Sequence, residues 1–402
     1  MKQRYIEDLN YFLNYAEQKR GKKLDKKFPN ESVHLDFYFL HSKDELNDFI
    51  REYENRYNIN DDYDFYYFMK CVIKFMCGKM DAHTTISMKN NDNHYPISFL
   101  ATNNKVYVHK CNYNEFNLSE LQEINGIKIE QIIDEFEKCI NYGNFSWFSV
   151  KLDYSLSIKN TLLSLPSINS NSKIIEYKTS KGIISYDIDK NYSDEFSIFN
   201  NNEFKQLIVK DNTLIIKYPS CSPNFVPNIK NIKKILKENS IDNIILDIRG
   251  NAGGNSTLIK PLIKFLRHSK RNLITLVDKY VFSSGRFAVI DMKKIDSKIV
   301  GEEIGTPINC FGYVSGNGIT PNTSLSFNFA KVYWYCDEKA KTMKGIYTKK
   351  ALYEKEKDFF TPKYLDLDYT IKLSLDEYKN GNKDIILDKC IEWINGLKKK
   401  DN

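Results

Sequence analysis

No stretch of this 402-residue chain approaches the roughly 18 consecutive apolar residues that a membrane-spanning helix requires, so no membrane partner is expected. The opening run, MKQRYIEDLNYFLNYAEQKR, is broken by charge every few positions and lacks the apolar core of a secretory signal, which sets the expectation of a cytoplasmic protein. The eight cysteines are scattered without a C-x-x-C pair, so free thiols are expected, with no metal site and no disulfide framework. The charge surplus is small, 59 basic against 52 acidic residues, and makes no case for a nucleic-acid partner. Its densest basic tract, Lys398 to Lys400, reads as a solvated tail. Glycine is scarce at 17 residues, whereas 27 Tyr and 25 Phe supply ample material for a folded, aromatic-rich core. There is no internal repeat and no low-complexity linker.

Three regions follow from the periodicity. Residues 1–95 show helical spacing, as in Leu9, Phe12, Leu13 and Ala16, and predict a helical subdomain. Residues 96–205 shorten into strand-like runs such as Lys105 to Val108, Ile174 to Tyr177 and Ile183 to Ile188, a β-rich region. Within it, Asn125-Gly126 marks a tight turn ahead of a helix carrying Ile129, Ile132, Ile133 and Phe136. Residues 206–402 alternate apolar strands with amphipathic helices, the pattern of a mainly parallel sheet covered on both faces.

Three segments carry side chains suited to chemistry. Leu246-Asp247-Ile248-Arg249-Gly250-Asn251-Ala252-Gly253-Gly254-Asn255 runs from a buried strand into a glycine-rich loop, whose backbone N–H groups can face an anion with no side chain in the way. A structural turn explains it equally well, and it has neither the P-loop ending nor the dinucleotide-binding order. Phe282-Ser283-Ser284-Gly285 places a serine at a strand-to-helix junction, at the positive end of a helix dipole; serine is also a preferred N-cap there. Asp81-Ala82-His83-Thr84 offers a histidine whose ordinary pKa suits a general base, although a lone histidine is more often a plain surface or core polar residue.

In this order the three segments resemble the signature of the C-terminal-processing and tricorn-like serine peptidases, with D-x-H-T early, L-D-x-R-G-N-x-G-G in the middle, then F-S-S; Gly301-Glu302 with Gly305 is similar to the G-E-x-x-G element that follows. The resemblance covers roughly residues 70 to 390. It implies an α/β fold with a crotonase/ClpP-like parallel-sheet catalytic core, a helical N-terminal subdomain and a PDZ-like module within the β-rich middle region. It also implies Ser283 as nucleophile and an oxyanion hole from Gly253, Gly254 and Ser284. The lysine that the C-terminal-processing branch uses is absent: Gly305-Thr306-Pro307-Ile308-Asn309 stands where it is kept. The tricorn-like branch uses a histidine from the early element, which His83 matches, and a late glutamate. Glu356, six positions before Pro362, is the residue matched to that glutamate; Asp358 competes with it, and residues 354–358 also read as a solvated charge run.

The function so implied is a serine peptidase acting on peptides or unfolded protein through an acyl-enzyme, with no cofactor and with oligomerisation left open. A catalytically inactive, peptide-binding family member is the alternative, motivated by the missing lysine, by Val281 where the family often has threonine and by Arg286 where it often has an acid. A third reading, an acyl-CoA-handling relative of the same superfold, has no need of the F-S-S turn.

Overall fold

The computed structural model describes residues 1–25, 41, 43–89, 93–102, 105–169, 171–192, 204–337, 342–347, 363–379 and 384–398. The chain divides into two units, one of residues 1–201, 309–335 and 344–362 and a second of residues 202–308, 336–343 and 363–402.

The first unit begins with helices α1 (Gln3–Asp25), α2 (Lys43–Arg56) and α3 (Asp62–Cys77). Helix α3 starts where Asp61 accepts from the Tyr63 and Asp64 N–H groups, an N-cap that satisfies two otherwise orphaned donors. It then buries Phe65 to Met69, Cys71, Val72, Ile73 and Met76. Short antiparallel sheets follow: β1 (Thr85–Ser87), the pair β2 (Ile97–Thr102) and β3 (Lys105–Cys111), and a four-stranded sheet of β4 (Leu121–Ile124), β5 (Ile127–Lys128), β6 (Ile174–Thr179) and β7 (Gly182–Asp187). The Asn125-Gly126 step forms the expected two-residue hairpin turn, with φ of 50° and 77° and Ile124 paired with Ile127. Helix α4 (Ile129–Cys139) turns Ile129, Ile132 and Phe136 inward, as their spacing predicts. The middle region is less purely β than its sequence suggests. It also holds α5 (Phe145–Ser155) and α6 (Lys159–Leu163), and α5 buries Trp147, Phe148, Val150, Leu152 and even Asp153, so it lacks the one-sided period that reveals a helix.

The second unit is built on one six-stranded sheet. It opens with the hairpin β8 (Leu207–Lys210) and β9 (Thr213–Lys217), then α7 (Ile229–Glu238), β10 (Asn243–Asp247), α8 (Lys260–Leu266), β11 (Asn272–Val277), α9 (Ser284–Lys293) and β12 (Lys298–Gly301). Strand order is β16-β12-β11-β10-β9-β8, where β16 is Tyr369–Thr370, and every pairing except β8 with β9 is parallel. Alternation along each strand feeds two cores. Leu214, Ile216, Ile244 and Leu246 pack with Ile232 of α7, Leu262 and Leu266 of α8 and Val289 and Met292 of α9. On the other face Ile215, Ile245, Ile274 and Leu276 pack with Leu387, Ile391 and Ile394 of a late helix, Ile385–Lys398. Burial on both faces is why these strands read as unbroken apolar runs.

Between β12 and β16 the chain forms the strand pair β13 (Cys310–Ile319) and β14 (Ser326–Asp337), and β14 also pairs with β1: Thr85 lies opposite Asn328 and Ser87 opposite Ser326. Strand β15 (Thr342–Tyr347) joins β14, and α10 (Leu375–Lys379) precedes the late helix, α11.

Candidate active site

In the first unit, α3 ends at Gly78, whose N–H donates to Lys74 O, and the chain turns through Asp81-Ala82-His83-Thr84 into β1. Asp81 is buried and organises this turn. Its Oδ1 accepts from the His83 N–H (2.9 Å) and the Thr84 N–H (2.9 Å), and its Oδ2 accepts from Thr84 Oγ1 (2.6 Å). Asn141 closes the other side, its Nδ2 donating to Asp81 O and Thr84 O, both at 2.7 Å. Thr84 Oγ1 also accepts from the Ala330 N–H of β14 at 3.2 Å. The aspartate of D-x-H-T therefore fixes the backbone on which His83 stands. The imidazole lies over Gly312 of β13, where an added Cβ would stand 3.6 Å from His83 Cε1.

In the second unit, β11 ends at Val277 and the chain passes through Asp278 to Phe282 before α9. Ser283 occupies the N-cap position of α9 with φ 49° and ψ −118°, a left-handed conformation that is strained for a residue with a Cβ. A serine in that position normally caps the helix through its side chain, but Ser283 makes no such hydrogen bond. Ser284 Oγ donates to Gly254 O at 2.6 Å instead. The Ser283 hydroxyl is thus left at the positive end of α9, half-buried, without a capping duty.

The glycine loop is pressed against this turn. A Cβ on Gly253, whose φ is +114°, would lie 2.8 Å from Ser283 Cβ and 3.0 Å from Ser284 N; one on Gly254, at φ +127°, would lie 2.4 Å from Cys221 O. Only glycine fits either place. Asn251, which the sequence reading gave no role, is the bracket between loop and turn. Its carbonyl accepts from the Phe282 N–H (3.0 Å), its Nδ2 donates to Tyr218 O (2.7 Å) and its Oδ1 accepts from the Gly253 N–H (3.0 Å). Gly253 was expected among the oxyanion donors, and its N–H is taken up by Asn251. The N–H groups of Gly254 and Ser284 have no acceptor among the described residues.

Charge beneath the loop is arranged by burial. Asp278 accepts from the Gly250 and Tyr280 N–H groups at 3.0 and 3.1 Å, and burial, reinforced by nearby Glu302, pushes its carboxyl up to about 7. Burial likewise raises Glu302 of the G-E-x-x-G element. Arg249 forks between Asp247 (2.7 Å) and Asp384 (2.6 Å); burial works against its charge, but the bonds to those carboxylates outweigh it and its pKa is raised. Arg286, the departure noted in the sequence, is buried and donates from Nη1 to Pro307 O at 2.9 Å, joining α9 to the segment after Gly305. Neither Asn251 nor Asp278 carries a signal of its own in the sequence; both become visible only through what they hold.

The structure thus gathers Ser283, Ser284, Gly253 and Gly254 in the second unit, while His83 belongs to the first. Glu356 and its competitor Asp358 lie outside the described residues.

No family model matches the sequence, and no curated protein matches it. Among solved structures, mature CPAF is similar over 100% of this chain and 99% of its own, at 10% identity and a TM-score of 0.59. Mature CPAF complexed with lactacystin gives 98% and 99% coverage, 11% identity and a TM-score of 0.56. The photosystem II D1 C-terminal processing protease, at 10% identity, covers 96% of this chain and 98% of its own with a TM-score of 0.41, too distant to carry weight. At such identities the likeness speaks for the fold. In fold this chain is similar to mature CPAF.

Proposed function

We propose that the protein is a serine peptidase that hydrolyses peptide bonds of peptides or unfolded proteins through an acyl-enzyme on Ser283. The observation that carries this reading is Ser283 itself, held in a strained left-handed conformation at a helix N-terminus with its hydroxyl free of capping, beside two glycines that admit no side chain. Strain of this kind costs about 1–3 kcal/mol, and an ordinary helix cap has no need of it. In the proposed reaction Ser283 Oγ attacks the scissile carbonyl and His83 takes its proton. The N–H groups of Gly254 and Ser284 stabilise the oxyanion, with Gly253 as the wall that keeps the loop close. His83 then returns the proton to the leaving amine, and water releases the acyl group. Glu356 is carried in the proposal as the residue that orients His83, on the resemblance alone.

The test is covalent labelling with a fluorophosphonate probe, read by mass spectrometry, on the wild type and on Ser283→Ala, Ser284→Ala and His83→Ala. Labelling at Ser283 that survives Ser284→Ala and falls at least about 10³-fold in the Ser283 and His83 variants is expected. A folded wild type that does not label at all would sink the peptidase reading in favour of a peptide-binding, inactive relative.

A further inference from the structure

The first unit holds an open pocket of about 310 Å³ lined from α3, α5, α6 and β1, remote in sequence from the glycine loop and the Ser283 turn. That volume lies at the lower end of the range for small-molecule sites, about 300–1,000 Å³. Two lysines line it, Lys70 of α3 and Lys151 of α5, together with Ser87, Asn141 and Thr161. No aspartate or glutamate is among its lining residues. Neither ammonium has a carboxylate partner among the described residues. Instead, each is held by ring faces: Lys70 Nζ stands 5.3 Å from the centroid of Tyr66 and 5.7 Å from that of Phe136, and Lys151 Nζ stands 5.4 Å from Trp147. Lys70 is also hydrogen-bonded to the Cys139 thiol, which raises its pKa against the effect of burial, whereas ring faces steady the Lys151 cation without neutralising it.

We infer that this cavity binds a small ligand through an oxyanion group, a carboxylate or a phosphate, placed between Lys70 and Lys151 with hydroxyl donors from Ser87 and Thr161. Two like charges on the side chains that line one partly buried space repel each other. Burial lowers the pKa of Lys151 and Lys70 lowers it further, so an anion placed between them would relieve both effects. The alternative, two lysines merely extending towards water along an apolar wall, predicts no specific anion affinity. The cavity also backs onto the His83 turn: Asn141 lines it while holding Asp81 O and Thr84 O, and Thr85 lines it as the next residue along.

The inference is tested on the full chain, independently of catalysis, by calorimetric titration and thermal unfolding with inorganic phosphate and, separately, acetate, at ionic strength held constant with chloride. A saturable heat and a rise in Tm are expected with at least one of the two, since a ligand that binds only the folded state raises its stability. Phosphate alone would identify a phosphorylated ligand, and acetate alone a carboxylate. Lys151→Met and Lys70→Met should each weaken binding at least tenfold, Lys151→Arg should keep it within a few-fold, and Lys234→Met, an exposed lysine of α7, should leave it unchanged. No saturable response to either anion, or equal affinity in Lys151→Met and Lys234→Met, would overturn the inference.

Discussion

His83 and Ser283 both stand in short connections that leave one regular element and enter another, yet the two connections are built by opposite means. The His83 turn is relaxed and saturated: one buried carboxylate, Asp81, and one amide, Asn141, satisfy its backbone groups. The Ser283 turn is strained and crowded, its serine in a left-handed conformation against the close approach of Gly253. In the proposed reaction the base must be presented in one orientation, which hydrogen bonds provide. Ser283 must in the same proposed reaction expose both its oxygen and the N–H next to it, which an unstrained N-cap would cover.

That contrast can be broken first at Gly253. Gly253→Ala puts a methyl into Ser283 Cβ at a φ unsuited to alanine, and fluorophosphonate labelling of Ser283 should fall by about 10²–10³-fold, the loss typical of a disturbed oxyanion hole. Unchanged labelling would mean that the crowding has no part in aiming the serine. A second effect concerns stability. The Asp278 pKa is raised in the folded state, so its stabilising contribution is complete below about pH 4 and is lost as pH rises through about 7. Asp278→Asn keeps an acceptor for the Gly250 N–H and cannot ionise. Urea unfolding from pH 4 to 8 should show the variant flattening this dependence and exceeding the wild type above pH 7 by up to about 4 kcal/mol. Parallel curves would remove Asp278 from the account. The smallest effect belongs to the relaxed turn. Asp81→Ala removes three hydrogen bonds to one carboxylate and should cost about 3 kcal/mol in the same assay. No loss would show that the His83 turn is not held as described.

The parallel sheet was legible because burial on both faces leaves continuous apolar strands, and the Asn125-Gly126 hairpin because its turn demands positive φ at both positions. Ser283 and the two glycines were legible as a motif, but the alternative in which Ser283 caps its helix is set aside only by its side chain making no cap bond. Helix α5 was missed because burial around its circumference erases periodicity. Strands β13 and β14 were missed for a different reason. The pairing of β14 with β1 joins residues more than two hundred positions apart, and no local pattern encodes such a partner.

Arg249 leads directly into the glycine loop, and one of its two carboxylate partners, Asp384, lies 135 residues downstream, where its side chain also accepts from the Leu387 N–H at the start of α11. During synthesis from the amino terminus the loop is made long before that partner exists. A nascent chain that already contains Ser283 and His83 therefore carries a loop with its guanidinium half-anchored, and the anchor is completed only when α11 folds onto the sheet. The order of translation itself delays the finished site.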